Sequence, residues 1–66
     1  MDKTIICSEV HEGKKLSIII DNICYFTDYK VDDQLFTKIV MVNGLEFVVK
    51  EKFIHINSLI NKTNYK

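Results

Sequence analysis

Four side chains in this 66-residue sequence have the chemistry to bind a metal or attack an electrophile: Cys7, His11, Cys24 and His55. A structural zinc site needs four converging ligands, usually supplied as C-x-x-C or H-x-x-x-H pairs, and no such pair occurs. Cys7 and His11 are four residues apart, but on a strand and its turn they diverge. Ser8, Ser17 and Ser58 lie outside the Gly-flanked, strained turn that exposes a nucleophilic serine. A couple of Cys7 or Cys24 with His11 or His55 lacks a flanking group that would activate the thiol. Asp28, Asp32 and Asp33 crowd one short stretch without the alternating ligands and glycine of a calcium loop. These patterns predict no catalytic residue, no metal and no cofactor. His11 is expected in a surface turn and His55 on the polar face of a helix. The two cysteines are too few for a disulfide framework and are expected as thiols in a reducing compartment, buried as small apolar residues.

Basic and aromatic residues give a second kind of chemistry, contact with nucleic acid. Lys14 and Lys15 share one turn, Lys50 and Lys52 flank a strand-to-helix junction, and Tyr25 could stack on a base. Against this stand nine lysines balanced by nine acids, a formal net charge of zero, and no arginine. A duplex footprint usually needs a positive excess. The absence of arginine also removes the bidentate fork for phosphates and guanine edges. Nucleic acid is therefore the lesser expectation.

The elements that would carry these residues are mostly strands. With 47% hydrophobic residues and no net charge, the chain is a folded domain and not a disordered tail. At this length one core is the limit, so residues 1–66 form a single small domain, ordered over about residues 3–60. No run of apolar residues is long enough for a signal segment or a membrane span, and a cytoplasmic location is expected. Residues 3–10 and 15–20 read as a hairpin. With Glu12-Gly13 as a two-residue loop, Cys7 would face Ile18 and Ile5 would face Ile20. Asp21-Asn22 breaks the run, and residues 23–29 form a third, aromatic strand. The polar connector Val31-Asp32-Asp33-Gln34 is expected to be the most mobile internal segment.

Residues 35–42 and 45–50 flank Asn43-Gly44, a strong short-range hairpin signal. Read as a two-residue turn, it sets Val42 against Leu45, Val40 against Phe47 and Lys38 against Val49 on the core face. Ile39, Met41 and Val48 then stand on the second face. Beyond residue 50 the period changes, and Phe53, Ile56, Leu59 and Ile60 make one stripe of a short helix. Residues 61–66 are expected to fray. The predicted fold is α+β and mainly β: a five-stranded antiparallel meander, curled into a half-barrel, under one C-terminal helix. Its core comprises Ile5, Cys7, Leu16, Ile18, Ile20, Ile23, Val40, Leu45, Phe47, Val49, Phe53, Ile56 and Ile60.

The pieces Gly13-Lys14-Lys15-Leu16, Ile20-Asp21-Asn22-Ile23 and Val42-Asn43-Gly44-Leu45-Glu46-Phe47-Val48-Val49-Lys50-Glu51 follow a familiar layout. It resembles the small bacterial FlbD-like flagellar family across residues 5–60. The strand-strand-helix ending is also similar to the end of LytTR-type DNA-binding domains. The leading hairpin here is longer than is usual in the FlbD-like layout, and the third strand is more aromatic. The resemblance implies a fold and brings no catalytic residue. LytTR-type domains bind DNA through loops richer in basic residues than these.

The reading that follows is a non-enzymatic, self-associating protein-interaction module, because the second sheet face is too apolar for a wet surface. Its expected interface is Ile39, Met41, Val48, Ile19 and Val10. A domain this small gains from oligomerising. The partners expected are a second copy of the chain and another protein. The alternatives are a small LytTR-like nucleic-acid-associated regulator touching DNA or RNA through Lys14, Lys15, Lys50, Lys52 and Tyr25, and a phage- or element-encoded inhibitor of a host protein.

Overall fold

The computed structural model describes residues 3–64. Its order is β1 (Thr4–Ser8), β2 (Lys15–Ile19), a single 3-10 turn (Ile20–Asn22), β3 (Ile23–Val31), β4 (Gln34–Met41), β5 (Glu46–Val49) and α1 (Phe53–Asn64). The protein is mainly β with one helix, as the alternation predicts. The single meander is corrected: β1 and β2 form one antiparallel sheet, and β3, β4 and β5 form another in that order. The 3-10 turn is the reason. It carries the chain off the end of β2 without pairing β2 to β3. The two sheets meet instead where the end of β1 reaches β5. There Val10 N–H donates to the Val48 carbonyl at 3.0 Å and Lys50 N–H donates to the Ser8 carbonyl at 2.8 Å, around a Glu9–Val49 bridge.

The core fills the wedge between the sheets and the helix. Ile5, Cys7, Ile18 and Ile20 come from the first hairpin and its turn, Ile39 and Val49 from the second sheet, and Ile56 from α1. Leu16, Ile23, Phe26, Met41, Leu59 and Ile60 pack around them. The helix runs to Asn64, past the expected limit near residue 60, while residues 65–66 lie outside the described residues. Its sequence is poor in strong helix formers, so burial of Ile56 and the Phe26–Phe53 ring contact, 4.9 Å between centroids, must hold it.

Three turns decide which side chains face inward. In the first hairpin the pairs are Ile5–Ile18 and Cys7–Leu16, with a six-residue loop in place of Glu12-Gly13 alone. Gly13 there adopts φ +72°, and Glu12 N–H donates to the Glu9 carboxylate at 2.7 Å. The slip is two residues, so the expected faces survive. In the β4–β5 hairpin the slip is one residue, and the faces exchange. Gly44 N–H donates to the Met41 carbonyl at 2.9 Å, and Met41 N–H donates to the Leu45 carbonyl at 2.8 Å. Only Gly44 has positive φ, +94°, while Asn43 uses its side chain to accept from Leu45 N–H at 3.1 Å. This is a three-residue loop, residues 42–44, ending in a glycine bulge. A type I′ turn would need both central residues at positive φ. The pairs are therefore Ile39–Phe47 and Thr37–Val49. Ile39 goes to the core, Val40 turns outward and Leu45 is 57% exposed.

The true two-residue turn lies where a mobile connector was expected. Asp32 and Asp33 have φ +48° and +66°, and they close Val31 directly on Gln34. Asp tolerates the left-handed region because its short polar side chain bonds locally. At the other end of β3, Cys24 is the extra residue of a bulge between the Ile23–Met41 and Tyr25–Val40 pairs. The bulge lets both Ile23 and Phe26 reach the core and leaves Cys24 exposed, correcting its expected burial.

Replacing Asp33→Gly should relieve the left-handed backbone and raise stability by about 1 kcal/mol. Gly44→Ala should lower it by about the same amount through φ alone, since an added Cβ would meet no atom within 4 Å. Urea denaturation at fixed protein concentration checks both, and a destabilised Asp33→Gly variant would contradict the turn assignment.

Candidate functional site

Among the described residues no group of three or more His, Cys, Asp or Glu side chains converges to hold a metal ion. His11 is exposed in the first loop, His55 is exposed on α1, Cys7 is buried and Cys24 is exposed on the bulge. No helix of the described residues is long and apolar enough to cross a membrane.

One polar cluster does converge, at the junction of the two sheets. Glu51 follows β5, and its carboxylate accepts from Ser8 N–H with both oxygens, at 2.9 and 3.1 Å. Its backbone carbonyl accepts from Thr37 Oγ1 at 2.7 Å. Thr37 is the buried polar residue of the core and is completely shielded from solvent. The Ser8 hydroxyl in turn accepts from Lys15 Nζ at 3.1 Å. Burial, aided by the nearby Glu51 charge, pushes the Cys7 thiol up to about 11. The Glu51 bonds tie β1 and β4 to the end of β5. The cluster is a structural clasp.

The basic residues expected to touch nucleic acid lie on or beside three elements, β2, β5 and α1. Lys14 Nζ lies 2.9 Å from Glu12 Oε1. Lys15 and Lys50 come near each other across Ser8, through the Lys15–Ser8 pairing and the Lys50-to-Ser8 backbone bond. Lys52 precedes α1, where its carbonyl accepts from Ile56 N–H. Tyr25 pairs with Val40 in the second sheet, in the row of Glu46.

The expected interface also divides. Ile39 is 0% exposed and belongs to the core, so its place on an outer face is corrected, and Met41 packs against the same core. Val48 is half-buried and its register sets it on the outer face; Ile19 and Val10 are half-buried beside β1 and at its end. The one-residue slip explains the exchange. An apolar outer face still exists, built from other residues. Register sets Tyr25, Thr27, Tyr29 and Val31 of β3 beside Val40, Lys38, Phe36 and Gln34 of β4. Tyr25 is 53% exposed and Tyr29 39%. Lys38 Nζ lies 5.2 Å from the Tyr29 ring centroid and 3.8 Å from Glu46 Oε1. An ammonium over an aromatic face fixes the ring without covering it. The aromatic content of the third strand was the available signal for this face.

β5 pairs only with residues 37–40 of β4. Residues 29–36 are thus a two-stranded arm, open on both faces, whose opposite side carries Leu35 at 44% exposure. A separate open groove of about 360 Å³ runs between β2 and the β4–β5 loop, lined by Leu16, Ile19, Met41, Leu45 and Phe47.

Glu51→Ala should cost roughly 2–3 kcal/mol by leaving Ser8 N–H unsatisfied, and Thr37→Val roughly 1–2 kcal/mol; urea unfolding measures both. The unfolded chain loses the Cys7 proton near its ordinary 9.0, whereas the folded thiol keeps it to about 11. The Cys7 contribution to stability should therefore be flat below pH 9, fall as pH rises toward about 11, and level beyond it. Cys7→Ala should remove that component of the decline. A thiol reagent at pH 8 should modify Cys24 at least about 100-fold faster than Cys7, because only an accessible thiol reacts.

A scan against protein-family models finds no match to this chain, and searches of curated proteins and of solved structures likewise find none.

Proposed function

We propose that this protein is a non-enzymatic interaction module that associates with itself through the β3–β4 arm. The observation that carries the reading is the arm's lack of cover. Residues 29–36 form only two strands, yet they include Tyr29, Val31 and Leu35 at 39%, 38% and 44% exposure. An isolated two-stranded hairpin is marginal in water, so an apolar one gains from a partner's surface. The FlbD-like layout of residues 42–51 implies a fold and leaves the role open. The Lys50-Glu51 step within it serves the clasp. Neutral net charge, the absence of arginine and the Lys14–Glu12 pair weigh against nucleic acid as the partner.

Light scattering on a size column across a dilution series tests this. The expected result is a mass approaching twice the 7.7 kDa chain at high concentration. Tyr29→Ser combined with Leu35→Ser should move the dissociation midpoint to at least tenfold higher concentration with little change in the urea midpoint. A monomer at every concentration would overturn the self-association.

A further inference from the structure

The arm ends in an open strand edge. β3 is the outer strand of its sheet, and residues 27–31 are all exposed. Because Asp32 and Asp33 form a two-residue turn, Val31–Gln34 is the closing hydrogen-bonded pair. Hydrogen-bonded pairs alternate along an antiparallel ladder, so Tyr29–Phe36 and Thr27–Lys38 are the next ones inward. The N–H and C=O groups of Asp28 and Lys30 therefore point away from β4, toward the open edge. Among the described residues neither Asp28 nor Lys30 has an ion-pair partner.

Edge strands commonly carry charges that repel an incoming strand. The order here, Thr27-Asp28-Tyr29-Lys30-Val31, does so selectively. Laid antiparallel on its own copy about Tyr29, it sets Asp28 opposite Lys30 twice and Thr27 opposite Val31 twice. Centring on Asp28 or on Lys30 would oppose like charges, and centring on Thr27 would oppose Asp28 to Phe26. Direct cross-strand pairs of opposite charge stabilise and like pairs destabilise. The charge order thus matches a second copy of this strand centred on Tyr29; centring on Val31 would set Lys30 against Asp32, which lies beyond β3 in the turn.

We infer that residues 27–31 of β3 pair antiparallel with the same residues of a second copy, joining two three-stranded sheets across a two-fold axis at Tyr29. The inference rests on the self-association proposed above and supplies its geometry. The seam is short, so the dimer falls among weak, reversible contacts. It is isologous and closes at two copies, because the same residues 27–31 are used on both chains.

The test is a charge exchange, read by sedimentation velocity on the full chain with far-UV circular dichroism as the control for folding. Asp28→Lys and Lys30→Asp should each raise the dissociation constant at least tenfold. The double exchange, D28K with K30D, should return it to within about threefold of the parent. Tyr29→Cys in a Cys24→Ser background should form a covalent dimer on mild oxidation. That position is a non-hydrogen-bonded pair in this register, with Cα atoms about 4.5 Å apart, within disulfide reach. A parent dimer indifferent to the single exchanges, or a double exchange no better than the singles, would overturn the pairing and leave self-association standing. A parent that is monomeric throughout would overturn both.

Discussion

The two sheets touch along only a few residues, and Glu51 secures that junction. One residue acts in two directions: its carboxylate takes the Ser8 N–H from β1, and its carbonyl takes the Thr37 hydroxyl from β4. Hydrogen bonds to a charged group contribute roughly 1.5–3 kcal/mol each, well above a neutral bond. In a domain whose whole stability is on the order of 5 kcal/mol, a junction of this kind decides whether two hairpins share one core. The adjacent Lys50 N–H on the Ser8 carbonyl extends the tie along the backbone. Thr37, the buried polar side chain, is tolerated because the Glu51 carbonyl satisfies it.

Local pattern revealed the elements, and turn chemistry concealed how they combine. Ile5, Cys7 and Ile18 were legible as core because alternation survives a two-residue slip. Ile56 was legible because a 3.6-residue period cannot be satisfied by a strand. The second hairpin was not, because residues 39–42 and 47–49 are apolar on both faces, and alternation there gives no vote. The choice fell to Asn43-Gly44, where the sequence admits two loop lengths and φ at Asn43 selects the longer. Asp32-Asp33 lacks the glycine that usually announces a two-residue turn, so its polarity read as a loose connector. Glu51 appeared only as part of a resemblance; nothing local marks a carboxylate that will reach a backbone amide 43 residues earlier.

The candidate surface follows from the same economy of size. Among the described residues, a core of seven buried apolar side chains can cover β5 and the inner half of the β3–β4 hairpin, with α1 closing the wedge. It cannot cover the outer half. The chain nevertheless continues β3 and β4 past that cover with Tyr29, Val31, Leu35 and Phe36, where a structural role alone would favour polar residues. The arm is the part of the fold with the least reason to exist in a solitary chain, and function is most economically sought there.

The three-residue β4–β5 loop also bears on how this chain can vary. Surface loops ordinarily absorb single-residue insertions and deletions at small cost. This one cannot. Losing one residue between Met41 and Leu45 would restore the two-residue turn and rotate β5 by a face relative to β4, exposing Ile39 or Val49 in place of Val40 or Val48. Because both faces of this hairpin are apolar, the altered chain would still have strands to pair, but with different residues inside. Loop length here behaves like a reading frame for the core, and lineages descending from this sequence should vary freely in residue type at Val42 while holding the count of residues fixed.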